Sequence, residues 1–161
     1  MAENKTIIGL DLGTKTGWAI LKPDGSRIDS GHWNLKLSRF ESGGMRYIRL
    51  KAHLKYLIDN GCDNAIVAFE AVHRHRGVAA AHVYGGFMAT MQAQLDELGI
   101  DYVGIGVGTI KKHATGAGNA SKDMMIIAAQ ERWGEDGWTT KSNDEADALW
   151  VASTFISTLL N

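Results

Sequence analysis

The stretch KTIIGLDLGTKTGWAIL, residues 5–21, decides the fold class of this chain. It opens with a short apolar run that ends at Asp11, the pattern of a strand buried on both sides. Gly13 and Gly17 then bracket a turn, and residues 18–21 predict a second strand. Residues 27–33 alternate between polar and apolar side chains, as a third strand would. The start of the chain therefore predicts consecutive strands of a sheet.

Further along the chain, helical segments alternate with short strands. Helical spacing predicts four helices, over residues 38–59, 77–98, 122–133 and 143–160. Asn60-Gly61 is expected to end the first of them in a left-handed conformation. Residues 64–69, closed by Glu70, and residues 101–106 predict two more strands, and a glycine-rich basic loop is expected after the second. We therefore expect an α/β fold with a mixed central β-sheet of about five strands flanked by α-helices, as one domain over residues 1–161.

The composition is that of an ordinary globular protein. Hydrophobic residues make up 45% of the 161 positions and charged residues 22%. No apolar run reaches the roughly 18 residues that a membrane helix needs, and residues 1–10 lack a secretory-signal pattern. The single cysteine, Cys62, excludes an intramolecular disulfide and a cysteine-cluster zinc site. We expect a cytoplasmic protein without a membrane partner or an organic cofactor.

The formal charge of −1 hides an uneven distribution of charged residues. Residues 35–56 carry six Lys+Arg against Glu41 alone, whereas residues 123–161 carry two against seven acids. A basic middle segment would let the chain present a basic face to nucleic acid despite its nearly neutral total. The alternative is that the charge runs are simply solvated helix faces.

Acidic residues stand at the ends of the predicted buried elements. Asp11 and Glu70 each follow a strand, and Asp144 and Asp147 share one face of the last helix, which a capping-box pattern starts at Ser142. If the four converge, their repulsion would be relieved by a divalent cation, and carboxylate oxygens suit Mg²⁺ or Mn²⁺. Two such ions about 4 Å apart serve phosphodiester hydrolysis. The alternative is that each acid only ends a strand or complements a helix dipole.

Four short motifs follow one another along the chain. They read IGLDLG at 8–13, FEAV at 69–72, IK at 110–111 with TGAG at 115–118 and ASK at 120–122, and NDEADAL at 143–149. In order and spacing, the set resembles the four blocks of the RuvC-type Holliday junction resolvases. Residues 74–87 are more similar to the phage-encoded branch of that family.

The resemblance implies an RNase H-like fold and a crossover junction endodeoxyribonuclease that resolves four-way DNA junctions by paired nicks. It makes Asp11, Glu70, Asp144 and Asp147 the catalytic acids of a two-metal site, with Mg²⁺ as cofactor and Mn²⁺ as its substitute. Lys122 would be the lysine near the scissile phosphate. The resemblance also implies a homodimer through helix 77–98, which carries small residues at every fourth position: Ala81, Gly85, Ala89 and Ala93.

One position departs from the family pattern. Bacterial members place an aromatic residue three positions after the strand-end glutamate, and this chain has His73 there. Histidine and arginine planes also stack on bases, so the role is open. The residues expected to contact DNA are Lys111, Lys112, His73, Arg74, Arg76, Arg46 and Arg49.

Other functions remain as alternatives. A related RNase H-like nuclease would act on other branched DNA or on structured RNA, and a junction-binding module would bind without chemistry. The stretch 11–17 also resembles the first phosphate loop of the actin, heat-shock and sugar-kinase ATPases, but those need two large domains that 161 residues do not supply. YqgF-type RNA-processing nucleases share the stretch without the Glu70 strand end in this form.

Overall fold

The described residues form five strands in one mixed sheet. The computed structural model describes residues 5–60, 62 and 64–160. The strands are β1 (Thr6–Asp11), β2 (Lys15–Leu21), β3 (Arg27–Asn34), β4 (Ala65–Ala71) and β5 (Tyr102–Gly106). Their order is β3-β2-β1-β4-β5, in which β2 runs antiparallel to both β1 and β3, while β1, β4 and β5 are parallel. The predicted mixed sheet of about five strands is confirmed.

In the same part of the chain, five α-helices cover the two faces of this sheet. They are α1 (Met45–Asp59), α2 (Val78–Leu98), α3 (Val107–Thr115), α4 (Lys122–Trp133) and α5 (Asn143–Phe155), with a 3₁₀ turn at Gly134–Asp136 and a π-helical turn at Ile156–Leu160. Helices α1 and α2 share one core with Ile8 and Leu10 of β1. Helices α3, α4 and α5 share the other core with Ile7, because successive side chains of a strand point to opposite faces. None of these helices is long and apolar enough to cross a lipid bilayer.

The prediction for the first helix was wrong at its start. Helix α1 begins at Met45 rather than at residue 38. Ser38 donates its backbone N–H to Glu41 Oε1 at 2.7 Å, and two glycines follow, so residues 38–44 form turns and extended chain instead. At the other end, Asn60 has φ −107°, which is not left-handed, and Gly61 lies outside the described residues.

The predicted basic loop after β5 is partly a helix. Residues 107–115 form α3, whose Ile110 is buried and whose Thr115 Oγ1 donates to the Lys111 carbonyl oxygen at 2.9 Å. Gly116 ends this helix at φ +85°, a conformation that glycine adopts without steric cost. Sequence periodicity missed α3 because only one of its nine residues is buried. Lys111 is therefore held on a helix and not on a flexible loop.

Serine caps start the two helices that follow. Ser121 Oγ accepts the Met124 N–H, and Ser142 Oγ accepts the Glu145 N–H, each at 3.2 Å. These are the N-cap bonds that satisfy the first free amides of a helix, and they confirm the predicted starts of α4 and α5. The Glu145 carboxylate does not complete the capping box, because it is bonded to Ser30 and Trp138 instead.

Two glycines allow α5 to lie directly on β1 and β2. A Cβ atom at Gly9 would overlap the backbone oxygen of Ala148, and one at Gly17 would overlap that of Asp144. Any larger residue at either position would push the helix off the sheet. Because Gly17 pairs with Asp11 across the sheet, the first turn of α5 lies next to the end of β1.

Candidate active site

Three carboxylates from three separate elements meet at one edge of the sheet. Asp11 ends β1, Glu70 lies near the end of β4, and Asp147 lies early in α5. One carboxylate oxygen from each lies within 4.8 Å of the others, and all three side chains are half-buried. The strands β1 and β4 are parallel with Leu10 paired to Phe69, so the next residue of each points to the same face. The sheet register and the position of α5 therefore bring the three acids together.

Asp144 lies beside this trio and not within it. Among the described residues, the set of mutually close carboxylates contains Asp11, Glu70 and Asp147 only. Asp144 nevertheless lines the same cleft as Asp11, and its charge adds to the rise in the pKa of Asp11 and of Asp147. The structure thus places all four predicted acids in one neighbourhood, with Asp144 at its rim.

The pKa values of these acids reflect their burial and their mutual repulsion, which nearby lysines only partly offset. Burial, then Glu70 and Asp147, raises the pKa of Asp11 well above its usual value. Burial, then Glu70 and Asp144, raises the pKa of Asp147 to about 7, although Lys111 and a further lysine oppose the rise. Burial also raises the pKa of Glu70, against a hydrogen bond with Asp11 and the charge of Lys111. At neutral pH the cluster retains protons unless a cation replaces them.

The donor set fits a hard divalent cation. Asp11, Glu70 and Asp147 offer only carboxylate oxygens, the ligands that Mg²⁺ and Mn²⁺ prefer. A bound cation would also supply the positive charge that the raised pKa values show to be missing. These three side chains would hold the ion, with Asp144 close enough to complete its surroundings.

A cleft of about 450 Å³ opens beside the carboxylates. Its walls come from the β1–β2 turn, the end of β3 and the first residues of α4 and α5: Asp11, Leu12, Gly13, Thr14, Lys15, Asn34, Lys36, Lys122, Asn143 and Asp144. Lys122 therefore lines the same cleft as Asp11 and Asp144. From α3, Lys111 acts on Glu70 and Asp147 through its charge. The acidic centre is thus bordered by ammonium groups.

A tyrosine of α2 holds the strand that carries Glu70. The Tyr84 hydroxyl donates to the Glu70 carbonyl oxygen at 2.7 Å and accepts the Val72 N–H at 3.1 Å. Burial raises the pKa of Tyr84, so the hydroxyl keeps the proton that it donates. The His75 ring lies against the phenol, with centroids 4.9 Å apart. Tyr84 thereby fixes the backbone at the end of β4.

Glu145, in the first turn of α5, is bonded to the edge strand β3. Its Oε2 accepts from Ser30 Oγ at 2.6 Å and from Trp138 Nε1 at 3.3 Å. Ser30 Oγ in turn accepts from Arg27 Nε at 2.6 Å, and the Arg27 guanidinium lies 5.0 Å from the Trp138 ring centroid. Glu145 is only 8% exposed, so these bonds fix the rotation of α5 about its axis. The network keeps the Asp144 and Asp147 face of the helix turned toward the cleft.

The predicted contacts Arg46 and Arg49 lie away from the cleft. Both belong to α1, which packs on the opposite face of the sheet from α5, and neither lines the cleft. Arg49 forms an ion pair with Glu41, and Arg46 is half-buried. These two arginines therefore lie on the α1 side of the sheet, and their contact with DNA stays a prediction.

The remaining predicted DNA contacts lie on two other segments of the chain. His73, Arg74 and Arg76 are exposed in the segment that joins β4 to α2, directly after Glu70. Lys112 is exposed on α3, next to Lys111. None of these four side chains lines the cleft itself.

Sequence reasoning missed several residues of the site. Lys15 was given no role, and Lys36 was counted only within the basic segment 35–56, although both line the cleft. The available signal for Lys15 was the similarity of the stretch 11–17 to a phosphate loop. Tyr84 contacts Glu70 across 14 residues of chain, and Ser30 contacts Glu145 across 115, so no local pattern predicts these bonds.

Comparisons with known proteins give matches among solved structures alone. No protein-family model and no curated protein sequence matches the chain. RuvC of Thermus thermophilus in complex with a Holliday junction substrate matches with a TM-score of 0.79 and 21% identity, covering 94% of this chain and 92% of that one. Another Thermus thermophilus RuvC structure matches with a TM-score of 0.76 and 21% identity, covering 92% of each chain.

A yeast structure with a lower TM-score also matches. The yeast mitochondrial Holliday junction resolvase Ydc2 has a TM-score of 0.64 and 14% identity, covering 94% of this chain and 78% of that one. At these identities the matches define the fold. The five-stranded mixed sheet flanked by helices is an RNase H-like α/β fold, which this chain shares with the RuvC structures.

Proposed function

We propose that this chain is a divalent-metal-dependent endonuclease that resolves four-way DNA junctions by paired nicks. The observation that carries the proposal is the trio Asp11, Glu70 and Asp147 at the edge of a lysine-lined cleft. Carboxylates that hold metal and ammonium groups that meet phosphate are the two requirements of metal-assisted cleavage of a DNA strand. A solved neighbour of the same fold is a RuvC in complex with a Holliday junction substrate.

Each residue of the site has its own task in the proposed reaction. Asp11, Glu70 and Asp147 hold the metal, proposed to be a pair of Mg²⁺ ions with Mn²⁺ as a substitute, and Asp144 completes the set. The bound metal supplies a polarised water and offsets charge on the phosphate. Lys122 lies in the cleft and stabilises the negative charge that builds up on the phosphate during attack.

The DNA surface is proposed to extend from the cleft across the neighbouring basic residues. Lys111 and Lys112 on α3 and the exposed segment His73–Arg76 contact phosphates, and His73 stacks on a base at the junction centre. Arg46 is reached only by a DNA arm that passes α1. Arg49 contributes least, since Glu41 already neutralises its charge.

Paired nicks require two sites, so we propose a homodimer that uses α2. The small residues of this helix are half-buried or exposed: Ala81, Gly85, Ala89 and Ala93. A Cβ atom at Gly85 would meet nothing within 4 Å, so this face is open to a close approach. Sedimentation should show a dimer for the wild type and a monomer for Ala89→Arg. A monomeric wild type would remove the dimer from the proposal. The phage-encoded branch stays a prediction from the sequence.

A substrate panel tests the proposed function. The purified chain is incubated with a mobile four-way junction, a flap, a linear duplex and an RNA hairpin, with Mg²⁺, Mn²⁺ or EDTA. We expect symmetric nicks in the junction with either metal and none with EDTA. Asp147→Asn should lower the nicking rate by more than about 100-fold, since even outer-shell changes at metal sites cost about 10–100-fold.

Asp59→Asn is the matched control for that variant. Asp59 is exposed at the far end of α1, where it pairs with Lys55, so the same chemical change there should leave nicking unaltered. If the flap or the RNA hairpin is cleaved faster than the junction, that substrate would replace the junction in the proposed function. Junction binding without product in either metal would indicate a binding module instead.

A further inference from the structure

Lys15 and Lys36 line the cleft but have no part in the proposed catalytic set. Lys15 starts β2 next to the β1–β2 turn, and Lys36 follows the end of β3. Both side chains are exposed, and in the described part of the chain neither forms an ion pair. By contrast, Lys55 on α1 is paired with Asp59 at 2.8 Å. The cleft lining therefore carries two ammonium groups that form no ion pair within the described residues.

The backbone around these lysines is held in place. Thr16 Oγ1 donates to the Gly13 carbonyl oxygen at 2.7 Å, which closes the β1–β2 turn. The Leu35 N–H donates to the Thr14 carbonyl oxygen at 2.7 Å and ties the end of β3 to that turn. Asn34 Oδ1 accepts the Lys36 N–H at 3.1 Å, so its amide NH₂ stays available as a donor. Hydrogen bonds within the protein therefore hold the cleft wall in place without a ligand.

The cleft joins the acids to the end of β3. Its lining includes Asp11 and Asp144 with Lys122 from the start of α4, and then Lys15 from the start of β2 and Lys36 after β3. Positive charge therefore continues past the acidic centre toward the end of β3. A cleft of about 450 Å³ also offers more room than one phosphate needs.

We infer that Lys15 and Lys36, with the Asn34 amide between them, bind the DNA phosphate next to the one that reaches the carboxylates. The cleft then holds two consecutive phosphates of the nicked strand, which runs from the acidic centre along the β1–β2 turn to the end of β3. Two ammonium groups and one amide donor match the several oxygens of a phosphodiester. This inference rests on the proposed function, because it names the position of the substrate in the same cleft.

A methylphosphonate scan of the junction tests it. One phosphate at a time is made neutral on either side of the nick, and nicking rates are measured for the wild type and for Lys15→Met/Lys36→Met. We expect the wild type to be slowed by a methylphosphonate at one neighbouring position. The double variant should be slow on the normal junction and lose nothing further at that position, while it stays sensitive elsewhere.

Lys5→Met/Lys55→Met is the matched control, with the same loss of charge at the opposite end of the sheet. Lys5 precedes β1, and Tyr56, the neighbour of Lys55, lines a pocket with Thr6 at the start of that strand. This control should keep the full sensitivity of the wild type to the methylphosphonate. Identical scans for the wild type and for Lys15→Met/Lys36→Met would overturn the inference.

Junction binding separates this inference from the proposed function. Anisotropy is measured in EDTA at several salt concentrations, where no cleavage occurs. The slope of log K against log salt should become less steep by about 0.9 for Lys15→Met/Lys36→Met, since the two lysines share one phosphate and each phosphate contact contributes about 0.9. If the wild type cuts no junction but this slope changes, the phosphate site stands while the resolvase function fails. An unchanged slope rejects the phosphate site.

Discussion

The two faces of the sheet are packed by different kinds of residue. On the α1 and α2 face, large side chains such as Leu54, Phe87 and Met91 fill the space between helix and strand, and all three are fully buried. On the α5 face, Gly9 and Gly17 have no side chain, and the helix backbone lies directly on the strands. The first arrangement keeps the helices at a distance, and the second brings a helix into contact.

This difference explains where the acids meet. An aspartate side chain is short, so Asp147 approaches Asp11 and Glu70 only because α5 lies so close to β1. The large side chains of the other face contribute stability without placing a polar group. Changes on the α5 face should therefore affect metal binding and catalysis, whereas changes to the large apolar side chains of the α1 face should affect stability alone.

The largest effect is expected for Asp11→Asn. The amide removes a ligand from the trio, so nicking should fall by more than about 100-fold, beyond the 10–100-fold of outer-shell changes. The rise in melting temperature that Mg²⁺ gives the wild type should also disappear. Nicking assays and thermal melts with and without Mg²⁺ measure both. A variant that keeps the metal-dependent shift would place the metal elsewhere.

Gly17→Ala tests whether the two faces of the sheet differ in their effect on metal binding. The added methyl group overlaps the backbone of Asp144, so α5 must move, which costs about 1–3 kcal/mol of the free energy of unfolding and misplaces the acids. Leu54→Ala on the other face should cost about 2–5 kcal/mol. Denaturation together with Mn²⁺ titration below the melting temperature distinguishes the two, since only Gly17→Ala should weaken metal binding. Equal metal affinity in both variants would refute the distinction.

Variants of Glu145 test whether α5 residues that do not bind the metal still position the acids that do. Glu145→Ala removes the acceptor of Ser30 and Trp138 and should weaken metal binding about 10–100-fold, as outer-shell changes do. Glu145→Gln keeps an acceptor oxygen and should restore most of that loss. Metal titration and nicking kinetics of both variants provide the measurement. If Gln is as damaging as Ala, Glu145 acts through its charge and not through its bonds.

The acidic trio should make the metal-free protein less stable as pH rises. Burial raises the pKa of Asp147 to about 7, whereas an unfolded aspartate has about 3.9. The folded state therefore holds a proton that the unfolded chain has lost, and this contribution is full below about pH 4 and lost through about pH 7. Melting temperatures in EDTA should fall from about pH 5.5 to about pH 8, and Mg²⁺ should reverse the fall.

Asp147→Asn is the control for this pH dependence. The amide cannot titrate, so its melting temperature in EDTA should vary less between these pH values than that of the wild type. At about pH 8 the variant should be the more stable of the two, because it lacks one of the repelling charges. Parallel pH profiles would mean that the trio does not govern the pH dependence.

The smallest effect is expected for Arg49→Met. Arg49 is paired with Glu41 on the α1 side, away from the cleft, so junction affinity should change less than twofold. Lys111 acts on Glu70 and Asp147 through its charge. Lys111→Met removes the same charge as Arg49→Met and should weaken junction binding more. Anisotropy titrations at one salt concentration compare them. A larger loss for Arg49→Met would extend the DNA surface to α1.

Local patterns predicted the elements that carry long apolar or capped segments. The strand ending at Asp11, the helix 122–133 and the cap at Ser142 were placed within a residue or two of their observed positions. Helix α3 was missed because its single buried residue leaves no periodicity to detect. The start of α1 was misplaced because turn-forming bonds at Ser38 compete with helix formation, and spacing alone does not show them.

For the candidate site too, some features were predicted from the sequence and others were not. Residue types and motif order singled out Asp11, Glu70, Asp144 and Asp147, and the neighbourhood of all four agrees with that prediction. Only the structure shows which three acids are closest to one another. It also shows that Lys15 and Lys36 line the cleft, whereas Arg46 and Arg49 do not. These are consequences of the sides on which α1 and α5 pack.

The sequence by itself determined the five strands, the helices with a long apolar or capped segment, and the candidate acids, because local spacing and residue chemistry specify them. The tertiary structure alone decided how close those acids come and which lysines face them. Distances between side chains depend on strand register and helix docking, and these are set by contacts such as Gly17 against Asp144 and Glu145 against Ser30. Such contacts join residues more than 100 positions apart, beyond the reach of any local pattern.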